Sequence, residues 1–174
     1  MLRVATRAAH DRVDALYSGL NLADPADYRR FLSAQAAAFL PVEQALDAGG
    51  AAALFPDWPL RRRAEHLRAD LAGLGLALPS PIARPLFDGQ AQVAGAAYVL
   101  EGSRLGGAIL ARSVPANLPH SFLISPTGAG HWRDFLARLE QLLGSHVQRE
   151  AAIDAAGRVF DCFARAAHRS MGRQ

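Results

Sequence analysis

From end to end of this chain apolar residues recur at three- and four-residue steps, and no segment alternates apolar and polar residues long enough to make a convincing strand. A chain so patterned buries its stripes only by packing helix on helix. The expected fold class is therefore all-α, a single irregular multi-helix bundle. The 174 residues are enough for one compact core and too few for two ordinary domains, so residues 1–174 are read as one domain.

Leu2, Ala5, Ala9, Val13 and Leu16 form the first stripe, on a helix running to about Tyr17. Asp24 before Pro25 is a capping residue followed by a proline suited to the first helical position, and Tyr28, Phe31, Gln35, Phe39, Val42 and Leu46 continue the second helix. Pro41 should kink or divide it. Gly49 and Gly50 end it, and Phe55-Pro56-Asp57-Trp58-Pro59 reads as a turn into a third helix from about Leu60 to Leu74, stopped by Gly75. After a Pro-rich connection, Pro79 to Pro85, Asp88 opens a long helix reaching about Ser113. Pro115 to Pro126 is irregular. Trp132, Phe135, Leu136, Leu139 and Leu143 then mark another helix, and Ser145 with Gln148 forms a capping box for the last one, whose face carries Ile153, Ala156, Phe160, Phe163 and Ala167.

Composition narrows the classes of function. No apolar run reaches the roughly 18 residues that a membrane span needs. The Arg- and Ala-rich start is interrupted by Asp11 and Asp14 and reads as a structural helix rather than a targeting segment. Cys162 is the single cysteine, so no internal disulfide or cysteine cluster can form, and a cytoplasmic location is favoured. All 19 basic residues are Arg and the net charge is +3, yet no basic residues interleave with aromatics, which argues against nucleic acid. The one basic run, Arg61 to Arg63, reads as a solvated helix start.

Two features carry chemistry. His10 lies at the border of the first apolar stripe, where a neutral imidazole could bind iron through one ring nitrogen while the other is fixed by a hydrogen bond. Arg3 is seven residues earlier, about 10 Å along the same face, where a guanidinium could hold a carboxylate. The second feature is Tyr98-Val99-Leu100-Glu101-Gly102-Ser103-Arg104-Leu105-Gly106-Gly107, with three glycines in six positions of a helical stretch. Each costs roughly 1 kcal/mol relative to alanine in a helix interior. Such an expense implies that something approaches the backbone closely or that the helix bends. Gly102 and Gly106 share a face, which suits either a small-residue groove for another helix or a flat ligand.

The Tyr-x-x-Glu-Gly-Ser-x-Leu-Gly pattern at 98 to 106 resembles the distal-helix signature of bacterial haem oxygenases. Leu2-Arg3-x-x-Thr6-x-x-x-His10 similarly resembles that family's proximal helix, and the two stand in the family's order along nearly the whole chain. The resemblance implies His10 as the proximal iron ligand, Arg3 and Tyr98 at the propionates, Thr6 within the haem-binding motif, and Gly102, Ser103 and Gly106 lining the distal side. Animal members carry an aspartate where this chain has Ser103, followed here by Arg104. Ser103 or Arg104 would then be left to organise distal water. The Gly-Ser-Arg-Leu-Gly-Gly run looks like the biliverdin-forming enzymes that accompany bacteriophytochromes.

What the resemblance implies is oxidative opening of haem, both substrate and cofactor, by dioxygen, giving biliverdin, carbon monoxide and ferrous iron. The chain has no dinucleotide glycine fingerprint and no cysteine cluster, so electrons must come from a separate ferredoxin or reductase. Arg-rich helix ends would dock an acidic donor. The alternatives are a haem carrier of the same fold, or a di-iron carboxylate bundle. The latter needs Glu-x-x-His pairs, and none of Glu43, Glu65, Glu101, Glu140 or Glu150 has a histidine three residues on. His146 and Glu150 read as a surface pair, and His66, His120, His131 and His168 receive no role.

Overall fold

In the computed structural model, which describes residues 1–124 and 130–172, the elements among those residues are all helical. In chain order they are α1 (Leu2–Ala5), α2 (Arg7–Tyr17), α3 (Pro25–Ala48), α4 (Ala51–Leu54), α5 (Trp58–Arg61), α6 (Ala64–Gly73), α7 (Gln90–Leu110), a 3₁₀ turn at Ala111–Ser113, α8 (His131–Leu142) and α9 (His146–Met171). The expected all-α class is the observed one. The Pro126 end of the irregular stretch lies outside the described residues.

α9 is the axis of the packing. α7, α3 and the α1–α2 pair all lie against it, while α6 backs onto α3, and α4 and α8 onto α7. α9 suits that position because Ala152, Ala155, Ala156, Ala166 and Ala167 give it a low-relief surface that neighbours can approach, with Val159, Phe160 and Phe163 filling the gaps. Ser145 caps it: its hydroxyl accepts from the Gln148 N–H, and the Gln148 side chain accepts from the Ser145 N–H. Asp24 caps α3 through the N–H groups of Ala26 and Asp27.

Four expectations change. The first helix is broken at Thr6 (φ −98°, ψ 2°), so His10 sits on α2, beyond a joint. α3 runs unbroken through the buried Pro41. The third helix is two pieces, because Arg62 adopts extended backbone (φ −64°, ψ 138°) between α5 and α6. The fourth correction is the Arg61 to Arg63 run, whose Arg61 and Arg63 are 4% and 1% exposed.

Those two arginines are buried because carboxylates and carbonyls from distant helices meet them. Glu43 of α3 accepts from the N–H groups of Arg63 and Ala64, and Arg63 donates to the Leu100 carbonyl. The Arg63 guanidinium also lies 4.8 Å from the Phe39 ring centre and 4.9 Å from that of Phe122. Burial and the nearby Arg104 charge pull its pKa down to about 9, with Glu101 and Glu43 pulling upward, so it remains charged at neutral pH.

Candidate haem site

His10 projects from α2 with its side chain 58% exposed. Its Nδ1 stands 3.1 Å from a carboxylate oxygen of Asp14, one turn further along, and its ring meets Phe160 of α9 edge-on at 5.9 Å. That leaves Nε2 without a bonded partner among the described residues. An exposed ring nitrogen with no protein group against it is what an iron ligand requires.

The glycines of α7 divide by environment. A Cβ built on Gly106 would meet nothing within 4 Å, and one on Gly102 only Trp132 Cη2, at 3.8 Å. Gly107, by contrast, packs against the Leu123 carbonyl, and Gly95 would drive a Cβ to 2.0 Å from the Ala152 carbonyl oxygen of α9. The small-residue groove for a neighbouring helix therefore exists, but it is at Gly95. At Gly102 and Gly106 no protein group demands a glycine, and Leu105 and Ile109 extend the same face 50% and 64% exposed. An apolar, side-chain-poor helix face left open is a surface prepared for a flat apolar ligand.

Gly106→Ala should accordingly stabilise the ligand-free protein by about 0.5–1 kcal/mol, since an unstrained helical alanine restricts the unfolded chain. It should at the same time weaken haem binding. Urea titration and haem titration of the one variant check the two opposed signs.

Tyr98 caps the open face at its N-terminal end. Its ring packs on Trp132 at 5.7 Å, and Trp132 stacks in turn on Phe135 at 5.7 Å. Burial pushes the Tyr98 phenol above its usual pKa, against the opposing pull of the Arg3 charge, so Arg3 and Tyr98 are within electrostatic reach of each other. α1–α2 and α7 thus share the α9 platform.

Three residues of the motifs are turned elsewhere. The Thr6 hydroxyl donates to the Leu2 carbonyl of its own helix at 2.9 Å. The Ser103 hydroxyl donates to the Leu100 carbonyl and accepts from Arg63, both at 2.7 Å. Arg104 is 5% exposed and reaches inward to the Arg61 carbonyl and Glu101. Sequence reasoning also passed over Trp132, whose indole borders Gly102, and His131, which joins a buried ionic cluster with Arg61 and Glu101. The His-Trp pair opening a helix was the available signal.

No family model matches the chain. It is 37% identical over 112 residues to a heme oxygenase of Xanthomonas campestris, covering 61% of this chain and 67% of that one. It is 29% identical over 172 residues to heme oxygenase PigA of Pseudomonas aeruginosa, covering 93% of this chain and 87% of the relative. The structure of the heme oxygenase from Neisseria meningitidis, solved with NO and CO bound, superposes with a TM-score of 0.81 at 25% identity, over 98% of this chain and 90% of that one. The bundle has the fold of a haem oxygenase. The chain belongs to the haem oxygenase family.

Proposed function

We propose that this chain, as one haem oxygenase-like domain, binds haem between His10 and the Gly102–Gly106 face and opens it at a meso carbon, yielding biliverdin, carbon monoxide and ferrous iron. The observation that carries the reading is the pairing, on one α9 platform, of an exposed histidine and an apolar helix face left open at two glycines. These residues fit the group. Bound haem supplies the iron at which dioxygen is activated and is itself the molecule opened.

The chain's own residues bind, orient and shield. Asp14 and Phe160 stand against the His10 ring, on the Nδ1 side and edge-on, and orient it. Arg3 and the Tyr98 hydroxyl, within electrostatic reach of each other, meet the propionates, Arg3 with paired charge-assisted hydrogen bonds. Gly102 and Gly106 let the α7 backbone approach the macrocycle, and Leu105 and Ile109 exclude water around it. Ser103 and Arg104 act from behind that face by holding α7 to its neighbours, and Thr6 by shaping the joint before α2.

The purified protein, mixed with haem, oxygen and a reductant, should lose its Soret band as a verdin spectrum appears. A stable haem complex under those conditions would make the chain a carrier instead.

Electrons reach the site from a separate acidic ferredoxin or reductase in this reading. A cleft lined by Arg12, Arg84, Arg158, Arg165 and His168, with Asp161 already engaged by Arg12, flanks the α2–α9 contact that carries His10. Docking there predicts a steep fall in donor-driven turnover between low and physiological salt, while turnover with a small chemical reductant stays flat. Equal salt response in both assays would remove this surface from the electron path. Among the described residues no helix is long and apolar enough to cross a membrane. A cytoplasmic site, with a bacteriophytochrome as recipient of the biliverdin, completes the proposal and is supported by the lone cysteine and the Gly-Ser-Arg-Leu-Gly-Gly run.

A further inference from the structure

Directly behind the open glycine face lies a cluster of charge that the reaction as described does not use. Arg61 of α5, 3% exposed at its side chain, donates through Nη1 to Glu101 Oε2 at 2.7 Å and through Nε and Nη2 to both oxygens of Asp57 at 2.8 and 2.7 Å. His131 of α8 puts Nε2 2.9 Å from the same Glu101 oxygen and 2.7 Å from Arg61 Nη1. Arg104 closes the cluster from α7, donating to Glu101 Oε1 at 3.2 Å and to the Arg61 carbonyl at 2.6 Å. Phe135 floors it, 5.0 Å from the Arg61 guanidinium.

Buried ion pairs are costly to desolvate, and well-packed apolar residues in their place are often as stable or more so, so stability alone does not account for this cluster. What it adds is direction. Glycines have no side chains with which to fix their own helix; Gly106 faces open space, and Gly102 only the edge of Trp132. Glu101 immediately precedes Gly102, and its carboxylate is the point where α5, α7 and α8 are tied together. The tie is geometrically strict, because a single imidazole nitrogen faces both a permanent donor on Arg61 and an acceptor on Glu101. The lone pair or N–H at that nitrogen therefore selects which bond is made.

We propose that Arg61 and His131 are positioning residues for haem opening: through Glu101 they fix which part of a bound macrocycle the Gly102–Gly106 backbone covers, and with it the meso carbon left open to attack. The inference rests on the oxygenase reading above and adds to it the residues that decide regiochemistry.

The test compares wild type, Glu101→Gln and His131→Gln. Glu101→Gln is isosteric and removes the charge. His131 sits at the rim of the cluster, 15% exposed, so His131→Gln spares the core and supplies the result if Glu101→Gln does not fold. Amide exchange is measured on the haem-free proteins, and the biliverdin isomers are separated after turnover. The variants should speed exchange across residues 98–110 about tenfold, with α9 unchanged, and shift the isomer ratio by about 2–30-fold. Haem affinity should stay within about threefold.

Unchanged exchange in α7, an equal rise in α7 and α9, or an unaltered isomer ratio would each overturn the proposal. A wild-type protein that binds haem and forms no verdin would instead end the oxygenase reading, and this inference with it.

Discussion

Replacing His10 with alanine is expected to remove histidine ligation of the bound iron and to lower turnover at least ~100-fold, while leaving the haem-free fold almost untouched. The first expectation follows from the placement of Nε2: no other described histidine stands on α2, and the outer partners of metal-bound histidines alone are worth 10–100-fold in affinity or activity, so loss of the ligand exceeds that range. The second follows from exposure. His10 is 58% exposed, its contact with Asp14 is a surface pair worth at most about 1 kcal/mol, and the Phe160 edge contact adds little. The melting temperature of the haem-free variant should lie within about 4 °C of wild type.

Anaerobic haem titration, read by the axial-ligand signature, followed by aerobic turnover, checks both halves of that prediction. Added imidazole should restore part of the lost ligation, since the site loses a ligand and keeps its walls. Histidine ligation that persists in His10→Ala would end the assignment. Lost ligation in a protein that has also unfolded would instead assign His10 a structural duty that its exposure contradicts.

The residues that sequence reasoning read well are those whose physics is local. The Asp24–Pro25 start of α3, the Ser145–Gln148 capping box and the face of α9 depend on partners within four residues, and each is where periodicity and capping chemistry put it. The misreadings are residues whose partners are remote in sequence. Arg61 and Arg63 looked solvated because a run of three arginines has no local reason to be buried; their reasons are Glu43, Leu100, Glu101 and Ser103, up to 40 positions away. His131 received no role for the same cause. Pro41 was expected to kink or divide its helix, and it does not divide it, because α3 is covered on both sides of it and the packing outweighs one missing N–H.

The glycines of α7 belong to both groups. Their expense was visible in the sequence, but whether each one faced a helix or a ligand was not. The pair Gly95 and Gly106 makes that distinction measurable, because the same substitution on the same helix should have opposite signs. Gly95→Ala would place its Cβ 2.0 Å from the Ala152 carbonyl oxygen and 2.6 Å from two further backbone atoms of α9, well inside any real contact. Neither partner can yield by turning a side chain, since what lies opposite is backbone.

α7 and α9 must therefore separate along their common seam, which is flanked by Val93, Ala94, Ala96, Ala97, Ala155 and Ala156, all fully buried. Overpacking of this kind costs about 3 kcal/mol, against which the better helix propensity of alanine returns roughly 1 kcal/mol. The net loss, about 2 kcal/mol, corresponds to a fall of about 4–8 °C in melting temperature for a chain of this length. Gly106→Ala should instead raise stability slightly. Urea denaturation of both variants with unchanged m-values would carry the comparison. Should Gly95→Ala prove as stable as wild type, α7 and α9 do not meet backbone to backbone, and the platform on which the haem site is built would have to be redrawn.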